Sequence, residues 1–251
     1  MNAFDLSNQI ALITGGGTGI GLGIARCFVA AGARVVLVGR RRAELEEAVA
    51  ELGPMAAAET GDVTNIGEFP ALVERARRHA GDPTILVNNA GVHLKKPAVD
   101  TTPEEVLKVL ETHVLGAFEL TRLLVPPMLQ RGEGTILFIA SMASLMGIPL
   151  TAAYSLAKSA VTGMVRSMAS EFSPQGVRVN AIAPGWIETP MMRQALHNDP
   201  RRQDKILGRT LLGKFGQVED IGWAAVYLSS QAGRFVTGTV LRVDGGASIG
   251  F

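Results

Sequence analysis

Short apolar runs recur along this chain at residues 10–14, 35–38, 84–88, 135–139, 177–182 and 239–243, with a weaker one near 55–60. Helical patterns fill the intervals, near 19–31, 42–52, 65–80, 103–130, 152–173 and 218–229. Runs that stay apolar without alternating are buried on both faces, which a parallel sheet covered by helices provides. Strands joined through right-handed helical crossovers build a doubly wound α/β sheet. No composition shift marks a linker, so residues 1–251 read as one domain. Sheets of this kind bind ligands beyond the carboxyl ends of their strands.

Composition enters by exclusion. With 47% hydrophobic and 19% charged residues the chain is neither disordered nor a repeat fibre. Cys27 is the only cysteine, which excludes an internal disulfide framework and a multi-cysteine zinc site, and no metal is expected. A net charge of +1 offers no field for nucleic acid. The amino terminus lacks a signal-peptide pattern, and no stretch reaches the length of a membrane span. A soluble cytoplasmic protein with no membrane partner is expected.

One segment departs from the alternation. Residues 185–214 hold no strand pattern and two prolines, and they follow the sixth strand at the ligand end of the sheet. We read them as a substrate lid. Within 188–214, Arg193, Arg201, Arg202, Lys205, Arg209 and Lys214 outnumber Glu188, Asp199 and Asp204, six against three. A cationic lid suits an anionic substrate such as a sugar acid or a carrier-bound acyl group; a solvated helix face accounts for the charges equally well.

Four stretches carry candidate binding chemistry. Gly15, Thr18, Gly19, Ile20 and Gly21 lie between the first strand and the first helix. Glycines there let the backbone approach a pyrophosphate, and the helix start supplies free amides; the alternative is a plain tight turn. The second strand ends in Gly39, Arg40, Arg41 and Arg42, where an NAD site places an acid. Arg40, with Arg41 beside it, suits a 2′-phosphate, so NADP(H) is preferred over NAD(H); Arg41 and Arg42 also fit a basic helix start. Asp62 and Val63 follow the third strand, where the carboxylate either accepts from an adenine amino group or forms an Asx turn. Asn88, Asn89, Ala90 and Gly91 close the fourth strand, where paired amides can pin neighbouring strands beneath a nucleotide.

Tyr154 and Lys158 are four residues apart in a helical pattern and share a face. Ser141 stands two residues past the fifth apolar run. A nearby ammonium favours the phenolate and lowers a tyrosine pKa from about 10, and a serine hydroxyl can hold a substrate oxygen. Such a trio suits proton transfer in carbonyl–alcohol interconversion.

Together these motifs, with Asn180, the Pro184–Thr189 stretch and Asp244–Gly246, resemble the classical short-chain dehydrogenase/reductase (SDR) family over nearly the whole chain. The look is closest to bacterial 3-oxoacyl-carrier-protein reductases and gluconate 5-dehydrogenase-like members. The resemblance implies a Rossmann-type sheet of seven parallel strands in the order 3-2-1-4-5-6-7. It implies Tyr154 as general acid in reduction and general base in oxidation. Lys158 then binds the nicotinamide ribose and depresses the tyrosine pKa, while Ser141 orients the substrate oxygen. Pro184, Gly185 and Ile187 take the nicotinamide side, and Thr189 its carboxamide or the phosphates. Two basic positions near the cleft of carrier-protein reductases correspond to Arg131 and Gln175, which half supports carrier docking. His93, Leu145, Met146 and Trp186 are candidate pocket walls beside Ser141. The apolar tail 247–251 and the long helices fit the family's homotetramer, with a homodimer, or a tail tucked into its own subunit, as the alternatives.

The chain departs from the family at one position. His113 stands where the family carries an asparagine that helps hold a proton-relaying water. A histidine of ordinary pKa near 6.5 could itself relay protons, or displace the water, or simply be satisfied inside a helix interface. The leading expectation is an NADP(H)-dependent oxidoreductase acting on a small carbonyl or alcohol. An NAD(H)-preferring sugar-acid or polyol dehydrogenase and a catalytically silent dinucleotide sensor are the alternatives.

Overall fold

A computed structural model describes residues 2–196 and 200–250. Its seven strands are β1 (Ile10–Thr14), β2 (Arg34–Gly39), β3 (Ala56–Thr60), β4 (Ile85–Asn88), β5 (Gly134–Ile139), β6 (Val177–Pro184) and β7 (Val240–Val243). They form one all-parallel sheet in the order β3-β2-β1-β4-β5-β6-β7. The order reverses between β1 and β4, which opens the crevice where ligands bind in such sheets.

Helices cover both faces because successive strand residues point to opposite sides. Leu12 and Val36 face α3 (Phe69–Ala80), α5 (Gly116–Arg131) and α6 (Ala152–Phe172), where Phe69, Leu120 and Val165 pack. Ala11, Ile13 and Leu37 face α1 (Gly19–Ala30), α2 (Arg42–Leu52) and α9 (Val218–Ser229), where Phe28, Leu45 and Ile221 pack. This two-sided burial explains why β1, β2 and β5 run largely apolar without alternation.

The helical pattern at 65–80 begins in a 3₁₀ turn at Ile66–Glu68 before α3. The pattern at 103–130 is not one helix. It divides into α4 (Pro103–Leu110) and α5, joined by a π-helical turn at Glu111–Leu115. A capping box between Thr102 and Glu105 starts α4. The excursion 185–214 joins no sheet strand but contains two helices, α7 (Pro190–Leu196) and α8 (Pro200–Arg209), with an isolated bridge between Ile187 and Gly216. Asp199, part of the lid charge, and the terminal Phe251 lie outside the described residues. No helix among the described residues is long and apolar enough to cross a membrane.

Candidate active site

At the carboxyl end of β1 the chain turns sharply, with Gly15 at φ +64° and Gly19 at φ +55°. A Cβ on Gly21 would lie 2.1 Å from the Gly15 carbonyl oxygen, so α1 packs onto the turn more closely than any side chain permits. Thr18 caps α1 without a side-chain hydrogen bond, and the first turn carries no acid. The helix therefore presents amides, Ile20 among them, and a positive dipole end. Beyond Gly19 the nearest described atoms are those of Thr189, 3.7 Å from where a Cβ would sit. This cradle fits the pyrophosphate of a dinucleotide.

The asparagine pair does what paired amides at a strand end suggest. Asn89 Nδ2 donates to the carbonyls of Thr14 (2.9 Å) and Gly15 (3.1 Å), tying β4 to the glycine turn. Thr14 Oγ1, a residue the sequence did not single out, accepts from the amides of Asn89 and Ala90, each at 3.0 Å. Asn88 turns to the helix layer and donates to Thr121 Oγ1 at 3.1 Å. Gly91 lies so close to His113 that a Cβ there would meet the ring at 2.5 Å.

Asp62 forms the Asx turn: one oxygen accepts from the Thr64 amide (2.9 Å) and hydroxyl (2.8 Å). Its other oxygen lies 3.7 Å from the Arg40 guanidinium, which is 67% exposed beside the end of β2. Arg41 and Arg42 are held by Glu44 (2.6 Å) and Glu46 (2.7 Å) at the start of α2, the basic helix start expected as their alternative role. Arg40 is thus the arginine directed across the end of the sheet. Val63 packs at the start of α5, where Gly116 lets its carbonyl approach.

Ser141 leaves β5, and its Oγ accepts from the Ala143 amide at 3.1 Å. The same hydroxyl favours the ionised form of Tyr154, which lies one turn before Lys158 on α6. Lys158 is buried; its Nζ donates to the Ile139 carbonyl at 2.5 Å and lies 5.7 Å from the centre of the Tyr154 ring. Burial pulls the Lys158 pKa down to about 7. Burial also raises that of Tyr154, and the Ser141 hydroxyl offsets this only in part. The expected depression of the tyrosine by the ammonium is therefore corrected for this structure. The ammonium is aimed at a strand carbonyl, and both groups lose hydration.

His113 sits in the π turn, a deformation that recurs at functional sites. Its Nε2 lies 2.7 Å from the Val92 carbonyl oxygen and 3.1 Å from the Val92 amide nitrogen. One neutral tautomer donates to the carbonyl, and the other accepts from the amide. The ring stands edge-on to Tyr154, centres 5.5 Å apart. Desolvation, then the Lys158 charge, lowers its pKa to about 3. This corrects the expectation of a histidine titrating near 6.5: the ring is neutral throughout the physiological range. A space of about 10 Å3, room for roughly one water, lies between His113, Lys158, Asn88 and Thr112.

A second cavity, of about 170 Å3, opens over Ser141 and Tyr154. His93 and Trp186 line it as expected, the His93 ring 4.8 Å from that of Tyr154. Ile148 and Pro149 form the wall where Leu145 and Met146 were anticipated; Leu145 is 45% exposed. Lys95 and Arg202 also border it. No periodicity singled out Lys95, and Arg202 had entered only as part of a net charge.

Pro184 ends β6, and the Gly185 amide donates to the Val243 carbonyl at 3.0 Å. Ile187 is buried against Gly216. The Thr189 hydroxyl accepts from the Met192 amide at 3.2 Å, while its methyl group faces the glycine turn. Arg131 and Gln175 precede β5 and β6, at the end of the sheet away from the site, and Arg131 donates to the Pro83 carbonyl at 3.2 Å. They do not flank the cleft of their own chain, which removes that support for carrier docking.

Comparison with known proteins agrees with this geometry. Residues 15–248 match the family model described as enoyl-(acyl carrier protein) reductase. The chain is 38% identical over 247 residues to 2-(S)-hydroxypropyl-CoM dehydrogenase 3 of Xanthobacter autotrophicus, covering 96% of this chain and 97% of the relative. It is 38% identical over 250 residues to 2-dehydro-3-deoxy-D-gluconate 5-dehydrogenase of Bacillus subtilis, covering 98% and 96%. The crystal structure of 3-ketoacyl-(acyl-carrier-protein) reductase from Brucella melitensis, complexed with NADH, superposes with a TM-score of 0.91 at 34% identity, covering 98% of this chain and 100% of that one.

Proposed function

Because this chain belongs to the classical short-chain dehydrogenase/reductase family, oxidoreductases of alcohol and ketone groups, we propose that it interconverts a small secondary alcohol and its ketone with NADP(H) as preferred cofactor. The observation that carries the reading is the placement of the Ser141 and Tyr154 hydroxyls on one cavity wall with Lys158 buried one helical turn behind.

A bound nicotinamide dinucleotide supplies the hydride exchange. The Gly15–Gly21 turn, Asn89–Gly91, Lys158 and the stretch from Pro184 to Thr189 would hold it, with Asp62 and Val63 as candidates for its adenosine. Arg40 supplies charge for a 2′-phosphate. Tyr154 is the proton donor in reduction and the acceptor in oxidation. Its raised pKa keeps the phenol protonated, which suits the donor role directly. The acceptor role needs the phenol to lose its proton, and Lys158, one helical turn away, changes charge near its pKa of about 7. Ser141 shares the cavity wall with Tyr154 and orients the substrate oxygen. His113 is a positioning residue: a neutral ring that braces the Val92 peptide against the tyrosine. Residues 185–214 act as the lid. Leu211, Leu212 and Ile249, all largely exposed, support burial against further subunits of a cytoplasmic homotetramer.

Initial rates of NADPH and NADH oxidation with a panel of ketones, keto acids and an acyl-thioester mimic test the reading. Turnover with NADPH well above NADH upholds it. Faster turnover with NADH sinks the role of Arg40, and binding of both cofactors without turnover across the panel favours the silent sensor.

A further inference from the structure

We propose that the cavity over Ser141 and Tyr154 selects substrates bearing an anionic head group, a carboxylate or sulfonate, through Lys95 and Arg202. The proposal rests on the oxidoreductase reading, which puts the reacting carbon at Tyr154.

Lys95 comes from the loop between β4 and α4, and Arg202 from the first turn of α8. Two segments distant in sequence thus bring their cations to the same 170 Å3 space as the reacting hydroxyls. Among the described residues lining that space there is no carboxylate. Lys95 makes no salt bridge with a described residue, whereas its neighbour Lys96 is taken by Glu105 at 2.9 Å. The contrast separates a structural lysine from one left facing the cavity. His93, on the same wall, senses both charges: desolvation first, then Arg202 and Lys95, hold its pKa below the ordinary value.

The remaining walls, Ile148, Pro149 and Trp186, are largely apolar. Coulomb attraction strengthens beside such walls because less water screens it. A guanidinium meets a carboxylate or sulfonate through paired donors, and an ammonium adds a point charge from the rim. A neutral polyol or ester would leave Lys95 unmatched and gain no charge pairing from Arg202, so discrimination comes from the polar groups that the wrong substrate fails to satisfy. The small cavity favours a free acid over a carrier-tethered acyl chain, whose thioester has no charge close to the carbonyl.

The test uses the cofactor-loaded enzyme with matched pairs: 3-hydroxybutyrate, its methyl ester, and 3-hydroxybutane-1-sulfonate. We expect kcat/KM for the anions to exceed that for the ester by roughly tenfold to a hundredfold, the range of one or two charge-assisted hydrogen bonds. Lys95→Met and Arg202→Met should each shrink that ratio by about tenfold, mainly through KM, and Arg202→Lys should restore part of it. The sulfonate arm distinguishes the two anion types. Equal use of ester and acid, or variants that slow both alike, overturns the proposal. Calorimetry with butyrate, propane-1-sulfonate and methyl butyrate measures binding without chemistry. Binding of the anions alone, lost in the Lys95→Met/Arg202→Met double variant, upholds the site even if no alcohol is turned over and the oxidoreductase reading falls. Absence of anion binding refutes the site even if ketones are reduced.

Discussion

His113 grips the peptide of Val92 with a single ring nitrogen, 2.7 Å from its carbonyl oxygen and 3.1 Å from its amide. Protonating the ring means charging a buried group beside Lys158, which is why its pKa falls to about 3. In the unfolded chain the same histidine titrates near 6.5. Between those values the unfolded state binds more protons, so this contribution to stability is full above about 6.5 and is lost as the pH falls toward 3. Urea unfolding of His113→Asn should therefore show a shallower loss of stability from pH 6.5 to 4 than the parent protein. Equal slopes would mean that the ring is accessible and charges freely.

Lys158 has the same sign in a different window. Its folded pKa of about 7 lies below the ordinary 10.5, so the folded state binds fewer protons between them. Its burial cost is full below about 7 and is relieved as the pH rises. Cys27, raised to about 11 from 9.0 by burial, acts oppositely above 9, which makes pH 7 to 9 the informative window. Without cofactor, the parent protein should gain stability across that window, and Lys158→Met should flatten the gain. A parent protein whose stability is level from pH 7 to 9 would place a charged, paired lysine there instead.

Tyr154→Phe removes the hydroxyl and leaves the ring that His93 and His113 contact. Turnover should fall by about a hundredfold to ten-thousandfold, the usual worth of a general acid–base group, while fluorescence titration shows NADPH binding within about twofold. A variant retaining a tenth of the parent rate would move the proton transfer elsewhere.

Arg40→Ala should lower the preference for NADPH over NADH by roughly tenfold to a hundredfold, because a charge-assisted hydrogen bond is worth about 1.5–3 kcal/mol. Asp62, 3.7 Å away, would lose its ion-pair partner while keeping its two Thr64 hydrogen bonds, and its charge would then disfavour a 2′-phosphate. An unchanged ratio of kcat/KM values would assign the preference to other groups.

Gly21→Ala forces a methyl group to within 2.1 Å of the Gly15 carbonyl oxygen, a backbone atom that cannot swing aside. Stability should fall by about 1–3 kcal/mol, the range for overpacking, and cofactor affinity should fall with it. Gly147→Ala, with nothing within 4 Å of its Cβ, is the control and should be near neutral. Similar melting temperatures for the two variants would show that the turn relaxes at little cost.

Strand runs such as 10–14 and 35–38 were legible in the sequence because residues buried on both faces must be apolar, a local requirement. The 11-residue helix α2 was equally plain, with Arg42 through Leu52 bounded by Gly53. The π turn was not: nothing in Glu111–Leu115 breaks the helical pattern, and its extra residue answers to the packing of His113 on Val92 and of Gly116 on Val63. Leu145 and Met146 are candidate walls by sequence, yet the loop turns Ile148 and Pro149 to the cavity.

The sequence by itself determined the sheet, its helical layers, the glycine turn and the order in which Ser141, Tyr154 and Lys158 appear, since each follows from periodicity or from spacing along one element. Only the tertiary structure decided the state of those groups. A pKa depends on which water is excluded and which charge faces it, and both are set by elements far apart in the chain. The neutral His113, the lysine poised near neutrality, the protonated tyrosine, and the meeting of Lys95 with Arg202 are products of folding rather than of composition.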